Sequence, residues 1–293
     1  MSGGDIFFTM KPKTTIKEQI EILKSRGCVI DDDNFAADIL LRINYYRFTA
    51  YFLPYRYDNN NYLDNTKFTT IHKIYEFDKE LRAIIFTIIE EIEVNFRARI
   101  SYYFAHKYEA DGYLNPNNYN KKHNHEKFKD NINDCLRKHK NNLIVKHHQK
   151  KYGGEYPIWV LIELFTFGML SYFYSDLKTE DKQILATQMF GTTHNNVSSW
   201  LRCCTDLRNI CAHYERLYFH TFSAIPAGLS EIDENSQRTL FGAISMLKAL
   251  YCDNYKWDNE ILPNIKNLFE KYAGYIDTKH IGFPENWEGR LKK

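Results

Sequence analysis

Leu207-Arg208-Asn209-Ile210-Cys211-Ala212-His213-Tyr214-Glu215-Arg216-Leu217-Tyr218-Phe219 is the stretch whose reading decides the fold and the chemistry of this chain. It follows residues 197–207, which already read as helix, and it sets two arginines, an asparagine, a histidine and a glutamate among aromatic and small apolar positions. On a helix continued through the stretch, Asn209, Ala212, His213 and Arg216 share one stripe, and Arg208 stands about 140° from His213. Cations flanking a titratable imidazole suit a phosphodiester better than a metal. Histidine takes and returns a proton near neutrality, and a guanidinium holds two phosphate oxygens in its planar fork. The same residues also fit an ordinary helical histidine beside an Arg208–Glu215 ion pair.

Working outward, 293 residues suffice to bury a core without staples. The formal net charge of +2 hides an uneven distribution. Residues 121–151 hold ten lysines and arginines against three acids, an excess of seven positive charges, so the remainder carries five negative. Such a stripe points to a polyanion at one place. Six cysteines without a C-x-x-C pair read as reduced intracellular thiols. Residues 1–10 contain Asp5 and only a brief apolar patch, which is no signal peptide. The longest apolar run, residues 158–170, is interrupted by Glu163 and falls short of the roughly 20 residues of a membrane span. A soluble, cytoplasmic protein without membrane contact is expected.

In chain order, Thr15-x-x-Glu18 is a capping box before Ile16, Ile20 and Leu23, and Gly27 ends that helix. A second helix from near Asp33 carries Ile39, Leu40 and Ile43 into Tyr45-Tyr46-Arg47, with Pro54 ending it. There Tyr45, Phe48, Tyr51 and Phe52 read as a packing face, while Tyr46 and Arg47 are candidates for base stacking and phosphate contact. The cleanest periodicity is Leu81, Ile85, Ile88, Ile92, Phe96, within a helix over residues 68–105. Glu93 and Arg97 on that helix form an i, i+4 pair. They are either a surface ion pair or, beside the Arg208 helix, groups that orient His213 or hold phosphate. In the basic segment Lys121, Lys122, Lys127, Arg137, Lys138, Lys150 and Lys151 are candidate RNA contacts, against the alternative of a solvated helical face.

Zinc fits poorly: His147 and His148 are adjacent and diverge on a helix, and no Cys or carboxylate set completes a tetrahedral site. No metal and no cofactor are expected. Pro157 opens a helix to about residue 174, with Trp159, Ile162, Leu164, Phe165 and Leu170 as core. Further helices are expected over residues 180–190, from 195 through the central stretch, and over 237–251 and 263–272. Without a convincing strand, repeat, G-x-x-x-x-G-K or H-E-x-x-H, the fold should be all α.

Arg208-Asn209-Ile210-Cys211-Ala212-His213 resembles the R-N-x-x-x-H form of the motif that marks HEPN ribonucleases, and Tyr214 to Phe219 resembles its continuation in the Abi D/F abortive-infection family. Other segments resemble that family in the same order: Lys11-Pro12 with Glu18-Gln19 and Leu23-Lys24-Ser25-Arg26-Gly27; Ile43-Asn44-Tyr45-Tyr46-Arg47-Phe48-Thr49-Ala50-Tyr51; and Pro157-Ile158-Trp159-Val160-Leu161-Ile162-Glu163 with Phe167-Gly168-Met169-Leu170-Ser171. Together they span about residues 11–220.

The resemblance implies a HEPN-type bundle over 67–293, with an N-terminal helical region at 1–66 and a basic insertion at about 115–155. It implies a metal-independent endoribonuclease that acts as an anti-phage toxin. His213 would be general acid or base, Arg208 would bind the phosphate, and Asn209 would orient the histidine or donate to phosphate, with Arg216 in support. A single motif per chain implies a homodimer with a shared site. RNA would be the substrate, and a small structured RNA a possible regulator. Two alternatives stay open: a non-catalytic RNA-binding or scaffold protein, and a toxin silenced by a protein antitoxin.

Overall fold

The computed structural model describes residues 12–229 and 232–293. The readings of residues 1–10 and of Lys11 lie outside the described residues. Backbone contacts divide the chain into two compact units, Met1–Asp78 with Tyr272–Ile276, and Lys79–Lys271 with Asp277–Lys293. The fold is all α. Among the described residues no strand forms, and isolated bridges join only Val29 to Lys67, Arg56 to Tyr62 and Tyr119 to Leu177. Among the described residues no helix is long and apolar enough to cross a membrane.

In the first unit, helix α1 (Ile16–Ser25) starts at the capping box: the Thr15 hydroxyl accepts from the Glu18 amide, and the Glu18 carboxylate accepts from the Thr15 amide. Gly27, at φ +93°, takes the chain out of it, a conformation any side chain would resist. Helix α2 (Asp33–Arg42) does not run on into Tyr45. Ile43 is extended, and Asn44 caps a new helix, α3 (Tyr45–Thr49), by accepting the Tyr46 amide at 2.9 Å. Phe48, Tyr51 and Phe52 are buried as their spacing implied. The Tyr51 hydroxyl donates to the fully buried Asp78 carboxylate at 2.6 Å.

Helix α4 (Phe68–Tyr108) contributes residues to both units. In the second, Leu81, Ile85, Ile88, Ile92 and Phe96 are buried as expected, and Ile89, Ile100 and Phe104 join them. That apolar face favours packing by roughly 1.5–3 kcal/mol per side chain. Then come α5 (His125–Lys138), α6 (Leu143–Lys151), α7 (Ile158–Leu161), α8 (Phe167–Asp176), α9 (Thr179–Phe190) and α10 (His194–Ala212). Helix α10 packs against α8, α9 and the Leu240–Leu250 helix. The last of these is buried almost all round, which makes it the centre of this unit.

The single helix expected from Pro157 is broken. After α7 comes a 3-10 turn, Ile162–Leu164, an extended Phe165, and Thr166 capping α8 through the Met169 amide at 3.2 Å. Arg97 of α4 supports the break by donating to the carbonyls of Glu163 (2.9 Å) and Phe165 (2.6 Å). Trp159, expected in the core, is 50 % exposed, because a four-residue helix turns its outer side to solvent.

Candidate active site

Helix α10 buries Val197, Trp200, Leu201, Cys203, Cys204, Leu207 and Cys211, which leaves Asn209 exposed and Arg208 half-buried on its outer side. The helix ends at Ala212, and His213 is its cap residue. Tyr214 follows at φ +58°, with its amide donating to the Cys211 carbonyl (3.2 Å) and the Glu215 amide reaching back to Ile210 (2.9 Å). This is the paired-bond closure of a helix through a left-handed residue, formed here by a tyrosine rather than glycine. Buried Arg82, on α4, donates Nη1 to the Glu215 carbonyl at 3.0 Å and so fixes the turn.

The early end corrects the position of Arg216. It lies beyond the helix and off the Asn209–His213 stripe, and its Nη1 donates to the Tyr218 carbonyl at 2.8 Å.

Arg208, Asn209 and His213 remain together on the last turn. The Arg208 guanidinium lies 5.8 Å from the ring centre of Phe86 on α4, a cation–π distance that steers the side chain without occupying its N–H groups. Asn209 lines a cavity of about 250 Å³ with Asp206, Glu215, His220 and Gln237. His213 is exposed, and its ring nitrogens have no hydrogen-bond partner among the described residues. An imidazole and a guanidinium so placed can both reach a phosphodiester from solvent.

Glu93 and Arg97 are not joined to that turn. The Arg97 guanidinium is occupied by the Glu93 carboxylate and the two carbonyls at the α7–α8 break. Along α4, Glu93 is seven residues and about 10 Å from Phe86, where Arg208 lies. The pair is therefore a structural clasp. Burial pushes the nearby Cys204 thiol well up, with the Glu93 charge adding to the effect, so this part of α10 is inert core.

Lys121, Lys122, Lys127, Arg137, Lys138, Lys150 and Lys151 are all exposed. Arg137 pairs with Asp134 at 2.8 Å, and the Lys151 ammonium stands 5.3 Å over the Tyr152 ring. In the first unit Tyr46 is 70 % exposed and Arg47 is exposed beside it. Among the described residues no group of three or more His, Cys, Asp or Glu could hold a metal ion. Sequence reasoning missed Arg82 and Phe86. The signal for Arg82 was a cation on the buried side of α4, one position from Leu81. Phe86 stood out only as an aromatic residue next to the apolar face.

A model of the Abi-like protein family matches residues 38–219, from α2 to the end of the central stretch. The chain belongs to the Abi-like protein family. Both α4 and the close of α10 lie within the matched region, so the Arg82, Phe86 and Arg208 contacts are internal to it. This Abi-like protein is thereby tied to abortive infection, a form of phage defence. No curated protein and no solved structure matches it.

Proposed function

We infer that this Abi-like protein is a metal-independent endoribonuclease of the HEPN type, acting as a toxin in abortive infection. The observation that carries this reading is the last turn of α10, whose cap exposes His213 with no hydrogen-bond partner on its ring among the described residues, and which carries an Arg208 set against the Phe86 ring. Occupied polar groups hold a fold together; these are left for a ligand.

In the reaction a base removes the proton of a ribose 2′-hydroxyl, O2′ bonds to its own phosphorus, and the bond from phosphorus to the 5′-oxygen breaks. A proton delivered to that oxygen leaves a 2′,3′-cyclic phosphate and a 5′-hydroxyl. His213 takes or gives the proton. Arg208 stabilises the charge on the non-bridging oxygens, and Asn209, at the mouth of the cavity, donates to phosphate or aligns the ribose. One such histidine per chain supplies a base or an acid but not both, which supports a homodimer with one motif from each copy. The exposed lysines and arginines of residues 121–151 support contact with an RNA that serves as substrate or as restraint.

Purified protein, Arg208→Ala and His213→Ala are compared on RNA in EDTA, with product ends analysed. Cleavage by the unsubstituted protein alone, leaving cyclic phosphate ends, supports the reading. RNA binding with no cutting in any preparation, with or without its RNA, contradicts it.

A further inference from the structure

Away from the α10 turn, three titratable side chains form a chain of hydrogen bonds at the start of α5. His123 Nδ1 lies 2.8 Å from Asp176 Oδ2 at the end of α8, and His123 Nε2 lies 3.2 Å from His125 Nδ1. The His123 side chain is 2 % exposed and stacks on Tyr119 with ring centres 3.9 Å apart. The Asp176 carboxylate accepts only if His123 Nδ1 carries a proton. With His123 neutral, its Nε2 is the acceptor and His125 Nδ1 donates to it. The only ring nitrogen left over in the array is His125 Nε2, on a half-exposed side chain.

The segment that carries His123 and His125 is basic. Lys121 and Lys122 are exposed just ahead of the array. Lys182, on α9, is held below the usual lysine range, first by burial and further by Lys122, while Asp176 opposes the shift. Its ammonium is anchored on the Ser175 carbonyl at 3.0 Å. His125 is the first residue of α5, so the amide dipoles of that helix add a partial positive charge. Glu126, the exposed acid that follows His125 in the chain, is paired to Lys129 at 2.9 Å.

We propose that Asp176, His123 and His125 form a proton-linked phosphate site, in which His125 imidazolium, backed through neutral His123 by the Asp176 carboxylate, binds an RNA backbone phosphate on the basic segment that also exposes Lys121 and Lys122. The site rests on the reading of the chain as an RNA-binding nuclease and adds to it a regulated contact on the basic segment. Protonated His125 donates Nε2–H to a phosphate oxygen; the neutral ring offers only a lone pair and repels it. Phosphate binding and protonation therefore reinforce each other, and affinity is higher in acidic than in alkaline solution. His123 and Asp176 are positioning residues.

The test uses the full chain carrying His213→Ala, so that RNA is not consumed, with a short single-stranded RNA in EDTA. Between about pH 5.5 and pH 8 the dissociation constant should rise by about tenfold or more, the scale of one charge-assisted hydrogen bond. His125→Gln should reduce that change to under about twofold and lower the salt slope by about 0.7, one backbone phosphate. Asp176→Asn should weaken RNA binding at pH 5.5 while leaving part of the pH dependence in place. The His125 ring signals should shift when inorganic phosphate is added. A pH profile unchanged in His125→Gln, with helical circular dichroism intact, overturns the proposal, as does a phosphate response at other histidines only. Cleavage by the His213-containing protein is read in parallel. Cutting without proton-linked binding sinks this site and leaves the nuclease, whereas proton-linked binding without cutting sinks the nuclease and supports the site.

Discussion

Arg97 and Arg208 both stand on helices of the larger unit, and they differ in what their guanidinium groups already hold. Arg97 is closed in by the Glu93 carboxylate and two main-chain carbonyls at the α7–α8 break. Arg208 has an aromatic face against one side and, among the described residues, no fixed acceptor. The first arrangement spends no donor on solvent and holds a break in the fold; the second leaves donors for a substrate. The same contrast separates the histidines: His123 is packed and hydrogen-bonded at both nitrogens, while His213 is exposed and has no ring partner among the described residues.

The largest effect that sharpens this contrast is on catalysis. Arg208→Ala and His213→Ala should each lower RNA cleavage by about 10²–10⁴-fold; unfolding free energy should change by less than about 0.5 kcal/mol for exposed His213 and by about 1 kcal/mol for half-buried Arg208, which loses its contact with Phe86. Initial cleavage rates and urea unfolding of the same preparations check both halves. Arg97→Ala should do the reverse. Leaving Glu93 and two carbonyls without their donor should destabilise the fold by roughly 3 kcal/mol, seen as a lower urea midpoint, while cleavage per folded molecule stays within about threefold. A catalytic loss without a stability loss at Arg97 would break the contrast.

Arg97 and Arg82 also explain what was legible in the sequence. The capping box at Thr15 and Glu18, the apolar face of α4 and the buried Phe48, Tyr51 and Phe52 could be read because their causes are local: spacing, caps and burial. The end of α10 at Ala212 and the break after α7 could not. Neither place has a glycine or proline at the break, and the sequence from Ala212 to Leu217 gives a helix no reason to stop. In both, an arginine of α4 donates to carbonyls that the broken helix exposes: Arg82 to Glu215, and Arg97 to Glu163 and Phe165. Partners 133 and 66 residues apart leave no trace in local spacing. The same cause displaced Arg216 from its expected stripe, whereas Arg208, Asn209 and His213 stayed together because they precede the break.

A smaller effect tests the helix closure itself. Tyr214 holds φ +58° and is 69 % exposed, so its side chain contributes little burial against the cost of a left-handed backbone. Tyr214→Gly should stabilise the protein by roughly 0.5–1 kcal/mol, read as a rise in the urea midpoint. A destabilisation would show that the tyrosine ring, not the arginine-held turn, secures the end of α10.

The most direct test of the nuclease itself is a short RNA whose main cut site has been mapped, resynthesised with a single 2′-deoxy sugar on the 5′ side of that phosphodiester. If O2′ attacks its own phosphorus under His213 and Arg208, the substituted bond survives while the unsubstituted RNA is cut, with or without EDTA. Equal cleavage of the two RNAs would contradict that chemistry and, with it, the roles given to both residues.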